Sequence, residues 1–284
     1  MKNSAGSLWC RAGSPGSVLI AAIWILVMLT IFGAGLYRIA SARILMSQAV
    51  ESRIVSYYLA KSAVNDAEAV LFVNDKPAYD TLFSLSEEHD KSVGGGRFVY
   101  TVEDEERRID VNQSPAEIIA GLPGLNSELA QALVNSSLRP FAAKEELLLV
   151  EGISGEIFEG LKNFVSVYSG GKVNINTAPA EVLTALGIEK SLAAAIVEFR
   201  KGADGKEGTS DDEVFESPSE VLSRMRSRVS FMTAQEQTLA AITDLLTAGS
   251  RYYRVKIKTY VFNKEAMNYE ALIGKGSVLE WRER

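Results

Sequence analysis

From Val18 to Tyr37 the chain reads VLIAAIWILVMLTIFGAGLY without a charge. About 20 apolar residues suffice to cross a bilayer as an α-helix. No later stretch of the 284 residues approaches this run. The sequence therefore has one hydrophobic anchor near its N-terminus and a water-facing remainder. That remainder is globular, since the whole chain is 47% hydrophobic and 23% charged. A formal net charge of −6 disfavours nucleic acid as the main partner, because phosphate binding needs a basic surface. Cys10 is the single cysteine, which excludes an intrachain disulfide. His89 is the single histidine, which excludes His-rich and Cys–His metal clusters and leaves any histidine chemistry to one side chain.

Lys2 and Arg11 precede the apolar run, with no acid among them. The run is longer than the roughly 7–15 residues of a secretory signal, and no A-x-A-like cleavage site follows it closely. Helical spacing continues instead. Ile39, Ala42/Arg43, Met46, Val50, Ile54, Tyr57/Tyr58, Val64, Ala67 and Leu71 recur at three and four, with no Pro between Ser17 and Lys76. The spacing predicts one helix over 17–73, on the order of 85 Å long. Its first third belongs in lipid, and its last two thirds are expected to pack on a soluble domain. The segment resembles the class III signal of pilin-like proteins, with cleavage by a prepilin peptidase between Gly16 and Ser17. A plain bitopic anchor is the alternative. Arg38, Arg43 and Arg53 on one side and Lys2 and Arg11 on the other leave the orientation open. Pilin-like subunits carry Glu at the fifth position after cleavage, where this chain has Ala21. A carboxylate in lipid needs a partner, in that family a neighbouring subunit's terminal amine. Its loss implies a subunit with no neighbour ahead of it, at a filament tip.

A linker with His89 and Gly94–Gly96 follows the stem. Arg97–Glu106 then reads as a strand, with Phe98, Tyr100 and Val102 alternating with Val99, Thr101 and Glu103. Next comes an internal repeat. Val111–Val134 and Ile175–Val197 align Asn112 with Asn176, Pro115 with Pro179 and Glu117 with Glu181. After a one-residue deletion Gly124 aligns with Gly187 and Leu129 with Leu192. Each copy opens a helix at S-P-A-E or A-P-A-E, where the missing N–H of Pro is harmless. Each then turns at a Gly into a second helix. Partial echoes begin at Pro140 and at Phe215. The units resemble helix-hairpin-helix motifs. Versions that bind DNA carry a second glycine and hold a phosphate on the N–H groups of a helix N-terminus. Here Asn126, Glu189 and Ser154 stand at that second position. Scaffold is the favoured reading, with DNA binding the alternative.

Gly202–Pro218 (GADGKEGTSDDEVFESP) is acidic and glycine-rich. Calcium takes six to eight oxygens on a flexible loop. Asp211 and Asp212 are the expected ligands, with Asp204, Glu207 and Glu213 as further candidates. The spacing is not that of an EF-hand, and a solvated acidic loop is the alternative. From Arg251 the pattern turns to strands. Tyr253, Val255, Ile257, Thr259 and Val261 alternate with Arg254, Lys256, Lys258 and Tyr260, these last expected on an outer, protected face. Strands over 267–274 and 277–284 follow.

The Gly16–Ser17 junction, a stem lacking Glu at Ala21, SYYLAKSAVNDA (Ser56–Ala67), two N-x-x-P-A-E hairpins and the closing LEWRER together resemble the K-type minor pseudopilins of type II secretion systems. The resemblance implies an α+β fold: a pilin-like long N-terminal helix packed on a small antiparallel sheet, with a large all-helical domain inserted. The expected divisions are a leader over 1–16, the stem over 17–73 (transmembrane over 18–37), linker and first strand over 74–109, the inserted domain over 110–248 and the last strands over 249–284. It also implies bound calcium, a place at the tip of a periplasmic pseudopilus, and a single-pass inner-membrane anchor. The implied partners are the I- and J-type minor pseudopilins and the prepilin peptidase, with no nucleic acid. The rival is a membrane-anchored DNA receptor of an uptake system. Neither a phosphate-binding loop nor a nucleophile elbow is present in the sequence, so no enzyme is expected.

Overall fold

A computed structural model describes residues 15–73, 78–226, 228 and 230–284. Residues 1–14, most of the expected leader, lie outside them. The chain divides into a unit ending at Ile54 and a unit of Val55–Arg284. Helix α1 runs Pro15–Glu68, with Gly16 and Ser17 already in its helical backbone. In the first unit Leu19, Trp24, Leu29 and Phe32 are exposed, as are Ile39, Met46, Val50 and Ile54. The hydroxyl of Thr30 donates to the Val27 carbonyl at 2.8 Å, which satisfies a polar group that lipid would leave without a partner.

In the second unit the buried face of α1 begins at Ser56 and continues through Leu59, Ala60, Ala63, Val64, Ala67 and Leu71. Val55 packs half-buried against the same cluster, so within this unit the helix lies on the sheet as expected. A π-helical turn over Ala69–Val73 ends the stem. Helix α2 (Leu82–Ser86) is capped by Thr81, whose hydroxyl accepts from the Ser84 N–H at 2.8 Å.

Strands β1 (His89–Val93) and β2 (Gly96–Asp104) form a hairpin through Gly94 and Gly95, both at positive φ. The stretch read as linker thus contains a strand. HDKSV lacks alternation because it is an edge strand with little to bury.

The insertion then follows. Its first copy holds β3 (Ile109–Asp110), α3 (Ala116–Ala120), α4 (Ser127–Val134), a 3-10 turn at Lys144–Leu149, α5 (Gly155–Leu161) and β4 (Val165–Ser166). Its second holds β5 (Val173–Asn174), α6 (Ala180–Ala185), α7 (Lys190–Arg200), α8 (Glu220–Met225), α9 (Thr233–Ile242) and β6 (Leu246–Thr247). In each copy the first and last strands pair in parallel, β3 with β4 and β5 with β6. The insertion is therefore not all-helical, although two-residue strands are too short to show in a hydrophobic pattern. One core serves both copies, with Ile119, Leu133, Leu147 and Leu161 from the first and Ile175, Leu183, Ile196 and Phe215 from the second.

The chain returns in β7 (Tyr252–Val261), β8 (Lys264–Gly274) and β9 (Ser277–Glu283). The antiparallel order is β1-β2-β7-β8-β9. Phe262 and Asn263, both at positive φ, make the two-residue turn between β7 and β8. Phe98, Tyr100, Tyr253, Val255, Ile257, Tyr269, Ala271 and Ile273 form the sheet face that packs on α1. The buried Ser56 hydroxyl meets that of Thr259 at 2.5 Å. Arg254 departs from the expected solvated outer face and is buried.

Candidate functional site

The repeat is carried by two asparagines in matching roles. The Asn112 side chain accepts from the Phe141 N–H at 2.8 Å and donates to the carbonyls of Phe141 and Val167 at 2.9 and 3.1 Å. Asn176 does the same with Phe215 at 2.8 and 2.9 Å and Ala248 at 3.1 Å. Each asparagine thus ties the start of its hairpin to the partial echo behind it and to the returning strand. Asp110 accepts from the Asn112 N–H at 2.8 Å, and Asn174 from the Asn176 N–H at 3.0 Å. An arginine braces each start. Arg139 donates to the carbonyls of Asn112 and Ser114, and Arg200 to those of Ile175 and Ala178. Pro115 and Pro179 stand at the N-cap, one residue ahead of their helices.

Gly124 and Gly187 turn the hairpins at positive φ. At the following helix N-termini the N–H groups meet the chain's own groups. Asn126 accepts from the Leu129 N–H at 2.8 Å and Ser154 from the Ile157 N–H at 3.2 Å. Glu189 precedes α7, and its carboxylate accepts from Ser191 Oγ at 2.7 Å and Gln235 Nε2 at 2.5 Å. These two donors hold it below the usual carboxylate range. A fixed negative charge there opposes a phosphate.

The acidic loop leaves the end of α7. Gly202, Gly205 and Gly208 all have positive φ, and a side chain at Gly202 would collide with the Asp211 carbonyl. Asp211 organises the turn. Its Oδ2 accepts from the N–H groups of Ala203 and Asp204 at 2.8 and 2.9 Å, and its Oδ1 from Thr209 Oγ1 at 2.7 Å. The Thr209 hydroxyl and the Asp204 N–H keep its carboxyl below the ordinary value. Asp204 accepts from the Lys206 N–H at 2.7 Å, and Asp212 from the Gly208 N–H at 2.8 Å. Glu207 pairs with Arg200 at 2.9 Å and Glu213 with Arg224 at 3.2 Å. The loop therefore brings the three aspartates into one turn and ties both glutamates to guanidinium groups. Among the described residues no three His, Cys, Asp or Glu side chains converge as metal ligands. The five side chains alone do not make a calcium cage; an ion here would need backbone carbonyls of the same turn.

The insertion is fastened to the sheet by buried charges that the alternation pattern did not mark. The Glu105 carboxylate takes Arg254 at two atoms, 2.9 and 3.1 Å, together with Arg108 at 2.9 Å and Ser166 Oγ at 2.7 Å. Arg254 also reaches Glu270 at 2.8 Å and Glu280 at 3.1 Å. Although burial raises it, the Glu105 carboxyl lies below its ordinary value because Arg254 and Arg108 favour its charged form. Beside this network lie Asp80, Asp104 and Glu106, all buried. The charged run EDEERR at the end of the β2 segment is the trace of these fastenings in the sequence.

Two families match the chain. The helix-hairpin-helix motif matches residues 104–166, and type II secretion system (T2SS), protein K, matches residues 173–243. The two matches fall on the two copies of the repeat. A chain of the GspK-GspI-GspJ complex from the type 2 secretion system of enterotoxigenic Escherichia coli shares the fold. Its TM-score is 0.56 at 16% identity, covering 86% of this chain and 99% of that one. A zebrafish (Danio rerio) endonuclease/exonuclease/phosphatase family domain-containing protein 1 is 30% identical over 118 residues, 34% of this chain. That stretch spans only 22% of the zebrafish protein. The resemblance to protein K drawn from the sequence holds, in the matched second copy and in the pilin-like α+β fold.

Proposed function

We propose that this K-like chain is a minor pseudopilin of a type II secretion system, a structural subunit that caps the tip of a periplasmic pseudopilus and helps start its assembly. One observation carries the reading: an apolar helix continues into a helix packed on an antiparallel sheet, and a duplicated hairpin domain is inserted between β2 and β7. The exposed apolar residues of α1 supply lipid contact and the stripe on which neighbouring subunits pack. Ala21 in place of a carboxylate supports a position with no subunit ahead of it. The expected partners are I- and J-type minor pseudopilins, by analogy with the E. coli complex. The anchor is expected in the inner membrane with the folded unit in the periplasm.

The test is the mass of the N-terminal peptide after expression with and without a prepilin peptidase. A new N-terminus at Ser17 supports the reading. A chain left uncut by an active peptidase overturns it in favour of a plain anchored protein.

Calcium at the acidic loop belongs to the same proposal. Asp211 and Asp212 would supply carboxylates and the loop backbone would supply carbonyls, with Asp204 bracing the turn through the Lys206 N–H. Glu207 and Glu213, held by Arg200 and Arg224, are not offered as ligands.

The helix-hairpin-helix match keeps DNA binding as the second reading. Against it stand the caps Asn126 and Ser154 and the carboxylate of Glu189. Salt-sensitive binding of duplex DNA by the full chain would favour it.

A further inference from the structure

A cleft of about 360 Å³ opens between the outer face of the sheet and the first copy of the repeat. Arg254, Lys256 and Arg282 stand on the sheet side, and Lys144, Phe158 and Lys162 on the side of the repeat. Seven cations line the cleft against four carboxylates, in a chain whose net charge is −6. All four carboxylates are already engaged. Glu103 pairs with Arg108 and with Lys256 at 2.6 Å, and Glu145 with Arg282 at 2.5 Å. Glu159 pairs with Lys162 at 2.5 Å, and Glu270 with Arg254 at 2.8 Å and Arg284 at 2.7 Å. Glu105 and Glu280, outside the lining, serve Arg108, Arg254 and Arg282. Lys144 is the cation left over. It is half-buried and forms no ion pair with any of the described residues, and its Nζ donates to the Lys162 carbonyl at 3.4 Å.

We propose that this cleft is a carboxylate-binding site, in which Lys144 meets an acidic group brought by a ligand. The physical ground is an unmatched charge. An ammonium drawn out of water costs free energy unless an anion stands beside it. The carboxylates nearest in the fold, Glu103 and Glu105, are spent on other cations. Burial lowers the Lys144 ammonium from an ordinary 10.5 to about 8; Glu105 pulls it up, and Arg108 and Arg254 push it further down. At neutral pH the group is therefore charged and short of one negative neighbour. A carboxylate supplies that single charge, whereas a phosphate group brings a surplus. The largely exposed Arg284 spends Nη2 on Glu270 and carries further N–H donors suited to a planar acid. Phe158 offers an apolar surface for the methylene groups of such a ligand. An acidic side chain of a partner protein and a free small carboxylate share this chemistry.

The test is calorimetric titration of the full chain in uncharged detergent micelles with glutarate, an end-blocked tetraglutamate peptide and inorganic phosphate. Saturable binding of glutarate or the peptide is expected, weakened about tenfold or more in Lys144→Met and kept in Lys144→Arg. A peptide bound more tightly than glutarate identifies an acidic protein segment as the occupant; otherwise the occupant is a free small carboxylate. No saturable heat from either carboxylate in the millimolar range, phosphate bound more tightly than both, or equal affinities in Lys144→Met overturns the site. Carbon-13 titration of the Lys144 side chain in the unsubstituted chain reads the same site without relying on a variant that folds. Its midpoint is expected to rise from about 8 when glutarate is saturating. A midpoint that glutarate leaves unmoved would equally refute the proposal.

Discussion

Gly121 and Ala185 occupy the same place in the two copies of the repeat, and they touch each other. A Cβ built on Gly121 would lie 2.8 Å from the Ala185 Cα and 3.2 Å from its Cβ and carbonyl oxygen. A residue meeting its own counterpart is the mark of an approximate two-fold axis, here inside one chain. The backbone of Gly121 is ordinary helix, with φ −74. It is the missing side chain that matters at this position.

Gly121→Ala is therefore expected to destabilise the folded unit by about 1–3 kcal/mol, because the contact is with backbone that cannot swing aside. Gly160 in α5 supplies the contrast, since nothing lies within 4 Å of a Cβ there. Gly160→Ala is expected to stabilise by about 0.5–1 kcal/mol. Thermal melts of the two variants in detergent should move in opposite directions.

The asparagine pair offers a second comparison. Asn176 is buried and Asn112 only partly so. Removing either leaves a backbone N–H and carbonyls of the echo segment without their partner. Asn176→Ala is expected to cost about 3 kcal/mol and Asn112→Ala about 2 kcal/mol. Urea unfolding followed by tryptophan fluorescence would rank them; equal losses would refute the difference drawn from burial, and a negligible loss in either would refute the matched roles.

Arg254→Met is expected to cost about 3–5 kcal/mol, since it leaves Glu105 and Glu270 buried without their main cation. The same corner sets the acid limit of stability. Arg108 and Lys256 hold Glu103 at about 2 despite its burial, and Arg282 holds Glu145 at about 2. Their contribution is present above the ordinary value of 4.5 and is lost as pH falls towards 2. The melting temperature should fall over that window, and less steeply in Glu103→Gln.

Calcium titration tests the acidic loop. Binding in the range of about 10⁻⁴ to 10⁻³ M would suit an extracellular site. Asp211→Ala should abolish the heat, and because Asp211 also gathers three donors it should loosen the loop without the ion. No heat at millimolar calcium would remove the metal from the proposal.

The repeat was legible because its signature residues are structural. Asn112 and Asn176, Pro115 and Pro179, and Gly124 and Gly187 each do a local job that fixes the residue type. The C-terminal strands were legible from alternation, and Tyr253, Val255, Ile257 and Val261 are buried on one side of β7. Alternation alone marks Arg254 as a solvated outer residue, because Glu105, Glu270 and Glu280, which pair with it in the fold, are remote or on other strands. Strand β1 leaves no signal in the sequence because an exposed edge needs no apolar period. In the acidic loop the composition marked the turn, but only the fold separates its three aspartates from two glutamates already engaged by arginines.

Asp104 and Tyr253 are register partners in adjacent strands, although the whole insertion lies between them in sequence. Without the insertion, β1 to β9 would be a simple meander in which every strand follows its neighbour. Pairing β2 with β7 directly would have to close a very long loop against its chain entropy. If the insertion folds first, its parallel bridges and the buried junction deliver both strand ends side by side, and the closure is already done. The domain that interrupts the sheet would then also be what lets the sheet form, and replacing it with a two-residue turn should leave the strand order unchanged.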